Sequence, residues 1–408
     1  MMKLSKNNIK VLYLYVSTLM SSLLGFVVSI VNTNSLTEAE YGDVRYVQNF
    51  ITLFAWVLFV GYFFSGRRLL SLSYDEERSR KIRGAMMIIL FVCMALLSVS
   101  TVIIGFFHWN NTSLFHLFLL SSLVCFQPLL TTYVNVATQG DNHMGKLALS
   151  RVLPPTLYIV LAYFIYSSYG ASSNLVMCLQ WGVYSLSLMS IVLSTPHSFN
   201  GLKTLWSEIK KDNSDFAIHL YYGSLAMVAT NYIAGVTIGF FNDDYVGVGF
   251  YTLALTLTTP LSYLPAIVGA TYFKQFVNEP RIPRKVFAGT LLVTLLSFLC
   301  FIVLVRFVVD WFYPDSYAVV SVYATYLALA FCIHGLGDMI NHFLSSHGEG
   351  VAIRNSSYVC GAFKVFGFVF LVWIWDIEGA LITNVVSSFL YCAVLYYYYS
   401  KASYKKIS

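Results

Sequence analysis

The feature that most constrains this chain is a succession of long apolar stretches running from one end to the other. Hydrophobic residues make up 58% of the 408 residues and charged residues 11%, with a mean hydropathy of +0.69. This balance leaves too little polar surface to cover a water-soluble globule. A helix needs roughly 20 apolar residues to cross a bilayer core about 30 Å thick. The sequence therefore predicts an all-α integral membrane protein.

About twelve such stretches can be delimited. They are continuous in apolar character instead of alternating, which favours helices over a β-barrel. The first stretch is too long for the apolar region of a signal peptide and no cleavage pattern follows it, so we expect it to be retained. The predicted transmembrane helices are residues 11–31, 47–65, 85–107, 114–137, 150–168, 174–194, 216–241, 246–272, 287–309, 317–345, 355–375 and 379–399.

The basic residues are distributed unevenly between these stretches. If the N-terminus is cytoplasmic, all 25 Lys and Arg residues except Arg45, Arg306 and Lys364 fall on cytoplasmic segments. Retention of positively charged loops on the cytoplasmic side predicts this bias. We therefore expect a multi-pass protein of the bacterial inner (plasma) membrane with both termini in the cytoplasm. The net charge of +6 then reflects topology and contact with anionic membrane lipids, and it indicates no nucleic-acid partner.

The chain also divides into two similar halves. A hydrophilic segment after the sixth predicted helix, with a short amphipathic piece at 206–215, separates six helices from six. This predicts a first lobe at residues 1–207 and a second at 208–408. A shift of about 208 residues places Gly140 on Gly348 and superposes the helices that follow. An even number of helices in each half makes the lobes parallel, and such duplications commonly place a substrate path between them.

Ionisable residues inside the predicted helices are few. Burying a charge in hydrocarbon costs several kcal/mol, so such residues usually face a partner or a cavity. Asp338 and Lys364 lie at similar depths in the tenth and eleventh helices, and either an ion pair or a lysine facing a cavity would explain them. His334, Asp338, Asn341 and His342 share one face of the tenth helix. Of these, His334, Asp338 and His342 are candidates for ion coupling, because histidine changes charge near neutral pH.

Two milder polar faces occur in the first half. Gln127, Thr131 and Asn135 follow one side of the fourth helix, where either hydrogen bonds between helices or a cavity wall would account for them. Arg45 and Asn49 form a similar face at the outer end of the second helix. Arg45 either contacts a phosphate or carboxylate there or extends to the membrane interface.

Motifs for covalent chemistry are absent from the sequence. It contains no Walker A sequence, nucleophile elbow, HExxH helix or CxxC spacing. The seven cysteines all fall within predicted helices, a position that excludes a disulfide framework. We therefore expect no resident cofactor, no metal site and no enzymatic activity.

Several segments together resemble the Wzx-type O-antigen and polysaccharide flippases of the multidrug/oligosaccharidyl-lipid/polysaccharide (MOP) exporter superfamily. They are EYGDVRYV, VGVGFYTLALTLTTPLSYLPAIVGATYF, YPDSYAVVSVYATYLALAF, HGEG and IEGALITNVVSSFL. The resemblance implies two six-helix lobes around a central cavity that opens alternately to each side. It also implies translocation of an undecaprenyl-diphosphate-linked oligosaccharide from the cytoplasmic to the periplasmic leaflet. Polymerase and chain-length proteins of the same pathway would then be partners.

The resemblance also suggests roles for individual residues. Cations line the cavity in such proteins, and Lys364 best matches that role here, with Asp338, Arg45, Asn49 and Gln127 as the other candidate cavity residues. Two alternatives stay open, a cation-coupled exporter of small solutes and an O-antigen polymerase. Spans 11–31 and 216–241 lack the acidic residue that drug exporters of the superfamily commonly use. The outer loops are short, whereas a polymerase would be expected to carry sizeable ones with arginines.

Overall fold

The computed structural model describes residues 6–225, 230–242 and 244–401, with the side chains of residues 6–15, 230 and 274 left out. Helices joined by short turns make up this part of the chain, and no strand occurs in it. The α-helices are α1 (Lys6–Ser35), α2 (Glu38–Leu58), α3 (Tyr62–Ser71), α4 (Glu76–Phe107), α5 (Thr112–Ser121), α6 (Gln127–Gly140), α7 (Met144–Tyr169), α8 (Ser173–Leu193), α9 (Leu202–Asp212), α10 (Ile218–Ser224), α11 (Thr230–Phe241), α12 (Val246–Thr258), α13 (Pro260–Phe276), α14 (Arg284–Phe312), α15 (Val319–Ser346), α16 (Gly350–Phe366) and α17 (Val372–Lys401).

The apolar helices confirm an all-α, multi-pass membrane protein. Within the described residues, eight helical segments are long and apolar enough to cross a membrane, or nine if the bent pair α2 and α3 forms one span. The count of twelve stays a prediction. The fourth expected span is divided between α5 and α6. The seventh includes residues 226–229, which lie outside the described part. Lys3, Lys405 and Lys406, which support the predicted orientation, also lie outside it.

Polar residues in the short loops fix where several helices begin. Thr37 and Glu40 form a capping box at the start of α2, in which each side chain accepts a hydrogen bond from the backbone N–H of the other. The Asp75 side chain accepts from the backbone N–H groups of Glu77 and Arg78 at the start of α4. Such caps satisfy N–H groups that the first turn of a helix leaves unpaired.

The second predicted span is broken between α2 and α3, whose axes differ by 61°. Val60 and Gly61 adopt left-handed φ angles of +41° and +80° at the break. The side chain of Asn213 donates to the Val60 carbonyl at 3.2 Å, and the Tyr221 hydroxyl donates to the Val57 carbonyl at 3.0 Å. Because a break leaves carbonyls without helical donors, these side chains satisfy acceptors that would otherwise be unpaired.

The amphipathic helix α9 also packs on the elements around this break. Arg68 of α3 forms an ion pair with Asp212 at 2.5 Å, and the Tyr62 and Trp206 rings stack with centroids 5.9 Å apart. Arg78 of α4 forms a further pair with Glu208. A short π-helical turn at Asn213–Ala217 then leads from α9 into α10.

By its internal contacts the chain divides into two units, residues 1–225 and 226–408. The first unit extends beyond α9 because the segment that follows it, including Tyr221, makes its contacts with α2 and α3. The predicted lobe boundary after residue 207 stays a prediction.

In the second unit, α15 packs against α13 and α17. Small residues allow this close approach: a Cβ atom on Gly337 would lie 2.8 Å from the Tyr391 ring, and one on Gly269 would lie 2.9 Å from the His342 ring. Glycines at helix contacts commonly allow such approach inside membranes. The helix α17 departs from helical geometry at Trp375 and Asp376, where the predicted eleventh and twelfth spans separate.

Candidate functional site

A buried network of amide and hydroxyl groups in the first unit ends at Arg45. The Nη1 atom of Arg45 on α2 donates to Oε1 of Gln48 at 3.0 Å. The Nε2 atom of Gln48 donates to Oε1 of Gln180 on α8 at 3.5 Å, and the same oxygen accepts from Nδ2 of Asn32 on α1 at 3.1 Å. The Tyr158 hydroxyl on α7 donates to Oδ1 of Asn32. We call these five residues, which connect four helices, the Arg45 network.

The members of the Arg45 network other than Arg45 itself are almost wholly buried. Their exposed fractions are 0% for Tyr158, 1% for Asn32, 6% for Gln180 and 7% for Gln48. A buried amide or hydroxyl costs free energy unless it is hydrogen-bonded. Their mutual hydrogen bonds therefore make it possible for four polar side chains to lie inside an apolar helix bundle.

The guanidinium of Arg45 has no acidic partner within 4.0 Å in the part of the chain that the structure describes. Its Nε is buried and finds no acceptor among the described residues, and its Cζ lies 4.9 Å from the centre of the Tyr41 ring. Asn49, which the sequence placed on the same face of α2, makes no hydrogen bond through its side chain within the described residues. The positive charge and the free N–H together suit an anionic oxygen.

In the second unit, Tyr391 of α17 contacts most of the polar face predicted for the tenth helix, which is α15. Its hydroxyl donates to Oδ1 of Asp338 at 3.0 Å and accepts from Nδ2 of Asn341 at 2.8 Å. The His334 ring stacks on the Tyr391 ring with centroids 4.5 Å apart and an interplanar angle of 17°. We call these four residues the Tyr391 cluster. His342 instead faces α13, where its ring lies edge-on to Phe273 at 6.4 Å.

Lys364 is held by an amide and not by a carboxylate. The side chain is 5% exposed, and its Nζ donates to Oδ1 of Asn231 on α11 at 2.7 Å. No ion pair within 4.0 Å joins Lys364 to Asp338. Of the two explanations that the sequence left open, the structure does not show the direct pair, because Asn231 and Tyr391 provide the closest polar contacts.

Gln127 belongs to neither group of side chains. Its Nε2 donates to Oγ1 of Thr131 at 3.2 Å, one turn further along α6. The polar face predicted for the fourth helix is therefore partly satisfied within a single helix.

Sequence reasoning missed most of the residues that bind these candidates. The missed residues are Asn32, Gln48, Tyr158, Gln180, Asn231 and Tyr391. The four amide residues could have been found from the sequence, because burying an amide in an apolar span costs free energy, as burying a charge does, and the amide requires a partner. Tyrosine gave no such signal, since the chain contains 30 of them and many lie at the ends of spans.

The arrangement of helices is shared with solved structures of membrane transporters. The lipid II flippase MurJ, in an inward closed conformation, is 13% identical with a TM-score of 0.76, and the match covers 95% of this chain and 87% of that one. A multidrug resistance MATE family transporter of the MOP superfamily, in an inward-facing conformation, is 14% identical with a TM-score of 0.69. The match covers 93% of this chain and 94% of that one. A MOP superfamily transporter from Pyrococcus furiosus is 14% identical with a TM-score of 0.56, and the match covers 95% of this chain and 94% of that one. At these identities the likeness establishes the fold.

The class that these observations define is a multi-pass membrane protein with the fold of MOP superfamily members. The matched structures are transporters and a flippase, not enzymes. Residues 9–273 match the family described as polysaccharide biosynthesis protein, and the chain belongs to that family. A comparison with curated proteins finds no match.

Proposed function

We propose that this protein is a flippase for an undecaprenyl-diphosphate-linked oligosaccharide, such as an O-antigen repeat unit. It would move this lipid from the cytoplasmic to the periplasmic leaflet of the inner membrane by alternating access. Membership of the polysaccharide biosynthesis family supports the pathway, and the fold shared with a lipid II flippase supports a lipid-linked substrate. Polymerase and chain-length proteins of the same pathway are the partners that we expect. Both termini are expected in the cytoplasm.

The observation that carries this proposal is that each unit has a cation inside a predicted span or at its end, Arg45 or Lys364, whose charged group is held by an amide oxygen. Arg45 is bound by Gln48, and Lys364 is bound by Asn231. An amide oxygen satisfies an N–H donor without cancelling its positive charge. Each unit therefore keeps a charge suited to a diphosphate, whose transfer through hydrocarbon would otherwise be prohibitive.

We assign Arg45 in the first unit and Lys364 in the second to recognition of phosphate, because neither charge has a carboxylate within 4.0 Å among the described residues. Asn49, Gln127 and Asp338 are assigned to the sugar hydroxyl groups. Amides can donate hydrogen bonds to a hydroxyl and accept them from it, and a carboxylate can accept them. None of these residues is asked to make or break a bond in the substrate.

We also propose that His334, Asp338 and His342 couple transport to ion movement. The support is that the Tyr391 side chain contacts both His334 and Asp338, so a change of charge on either would alter the contacts of the other. Transport by His334→Ala and His342→Ala variants should therefore depend on pH differently from the wild type. An unchanged pH dependence in both variants would overturn this assignment.

Complementation of a strain that lacks the protein tests the flippase proposal. Arg45→Gln and Lys364→Gln remove the charges while keeping a polar group at the end of each side chain. Loss of one charge-assisted hydrogen bond is worth about 1.5–3 kcal/mol, so surface polysaccharide should fall at least about tenfold. The lipid-linked precursor should accumulate inside the cell. The control is Arg306→Gln, which removes an 81% exposed arginine that pairs with Asp310 and should have no effect.

Membrane abundance of each variant has to be measured in the same cells, because loss of the protein would mimic loss of transport. Normal surface polysaccharide in both Arg45→Gln and Lys364→Gln would overturn the assigned diphosphate contacts. Loss of polysaccharide without accumulation of the lipid-linked precursor would argue against a flippase, since the block would then lie before translocation.

A further inference from the structure

The Arg45 network is a directional chain of hydrogen bonds. An amide side chain has an oxygen on one arm and an NH₂ group on the other, so a bond at one arm fixes what the other arm presents. Tyr158 donates to the oxygen of Asn32, which turns the Asn32 NH₂ group towards Gln180. The Gln180 oxygen also receives the NH₂ group of Gln48. The oxygen of Gln48 is left facing Arg45, as observed.

The hydrogen bond that Arg45 donates to Gln48 determines which part of the Arg45 guanidinium is free. It occupies Nη1, the nitrogen on the far side of the group from the Nε–H bond. The opposite edge, formed by Nε and Nη2, is the one that binds two oxygens of a phosphate in parallel. On this edge Nε is buried, and it donates to no acceptor in the part of the chain that the structure describes. The network therefore ends in a donor edge with the geometry of a phosphate fork.

We propose that Tyr158, Asn32, Gln180 and Gln48 are positioning residues for substrate recognition. They hold Arg45 so that its Nε–Nη2 edge faces a pair of diphosphate oxygens. This inference rests on the flippase proposal and deepens it, because it assigns a role to residues on α1, α7 and α8 that have no need to touch the substrate. The side chains that fix the edge come from four helices, so the edge is set by the packing of the first unit.

Loss of one hydrogen bond should affect every other hydrogen bond of the Arg45 network. Without the Tyr158 hydroxyl, the Asn32 oxygen has lost a donor and its amide is free to rotate. If Asn32 rotates, its oxygen faces the Gln180 oxygen, where two acceptors cannot bond. Rotation of Gln180 and then of Gln48 would relieve this contact but would turn the Gln48 NH₂ group towards Arg45, where two donors cannot bond. Arg45 would then lose its tether while keeping its charge.

A double-mutant cycle on the purified full-length protein in detergent tests this inference. The probe is geranyl diphosphate, and the readout is its dissociation constant. Tyr158→Phe, which removes only the hydroxyl, should weaken binding about three- to tenfold, and Gln180→Met should weaken it by a similar factor. In an Arg45→Gln background neither substitution should weaken binding further. The matched control is Tyr251→Phe, which removes a buried hydroxyl bound by Asn384 in the second unit and should leave binding unchanged.

The outcomes separate the positioning role from the assignment of Arg45. If Arg45→Gln weakens binding but Tyr158→Phe and Gln180→Met do not, the positioning proposal fails and the diphosphate contact stands. Equal weakening in the wild-type and Arg45→Gln backgrounds would show a general structural effect and would also overturn it. If the wild type does not bind geranyl diphosphate, or if Arg45→Gln binds it normally, the positioning proposal and the assignment of Arg45 to the diphosphate both fail. Thermal unfolding of each variant confirms that the proteins compared are folded.

Discussion

At the scale of single residues, Arg83 shows what a structural arginine looks like in this protein. Its side chain is 3% exposed, and Nη2 lies 2.7 Å from a Glu76 oxygen while Nε lies 3.6 Å from an Asp141 oxygen. Nε also donates to the Ser79 carbonyl at 3.2 Å. The charge of Arg83 is therefore neutralised by acids, whereas the partners of Arg45 among the described residues are an amide and an aromatic ring. This difference separates the two arginines by role.

Replacement of Arg83 should be costly. Breaking a buried ion pair by removing one partner typically costs about 3–5 kcal/mol, so Arg83→Gln should lower the free energy of unfolding by about 3 kcal/mol. The matched control is Arg78→Gln on the same helix, whose pair with Glu208 is half exposed and should contribute less than about 1 kcal/mol. Denaturation in detergent measures both. Equal losses would contradict the structural role of Arg83.

The loss in Arg83→Gln should also depend on pH. Burial raises the pKa of Asp141 above its usual range, while Arg83 acts in the opposite direction. A carboxyl whose pKa is raised in the folded state adds stability at low pH, and this is lost as pH rises through that raised pKa. Removing Arg83 raises the pKa of Asp141 further. The deficit of the variant should therefore grow as pH rises, and a deficit independent of pH would exclude this coupling.

Replacement of Lys364 should have the opposite effect on stability from replacement of Arg83. A buried charge held by a single amide carries a desolvation cost that no carboxylate offsets directly. Lys364→Met should therefore raise the free energy of unfolding, by about 1 kcal/mol or more, while transport is lost. Thermal unfolding and complementation measure the two effects. A destabilised variant would mean that Lys364 mainly holds α16 to α11 through Asn231.

At the scale of the elements, the break between α2 and α3 depends on one glycine. Gly61 has a φ of +80°, and a Cβ atom there would lie 2.8 Å from Oδ1 of Asn213 and 3.1 Å from the Ala217 carbonyl. Gly201, before α9, has a similar φ of +68° but no atom near a Cβ. The two glycines therefore differ in the close approach of a second segment and not in backbone conformation.

This pair allows strain and contact to be measured separately. Gly201→Ala should cost about 1 kcal/mol from the left-handed φ alone. Gly61→Ala should cost roughly twice that or more, because the segment that caps the break must also move. Thermal unfolding of the two variants gives the difference. Equal costs would mean that the contact between Gly61 and Asn213 adds nothing to the stability of the break.

At the scale of the whole molecule, the distribution of basic residues predicts which loops face the cytoplasm. Asn110 and Asn200 are both exposed, in the loops after α4 and α8. In a variant with all seven native cysteines replaced, Asn110→Cys should react with a membrane-impermeant thiol reagent from the periplasm. Asn200→Cys should react only after the inner membrane is opened. The reverse pattern would contradict the orientation.

Much of the fold could be predicted from the sequence because the apolar signal is local. The span predicted at 287–309 lies within α14, and that at 150–168 lies within α7. The break inside the span predicted at 47–65 was not foreseen. Its sequence is apolar on both sides of Gly61, and the donors that satisfy it come from Asn213 and Tyr221, far along the chain.

The sequence by itself determined that this protein is helical and lies in a membrane, and it singled out Arg45, Asp338 and Lys364 as exceptions to the apolar pattern. These properties follow from transfer free energies that add along the chain. Only the tertiary structure decided that Lys364 binds Asn231 and that a chain of amides reaches Arg45. A hydrogen-bond partner depends on how each helix is rotated against its neighbours, and that is set by packing across the whole unit.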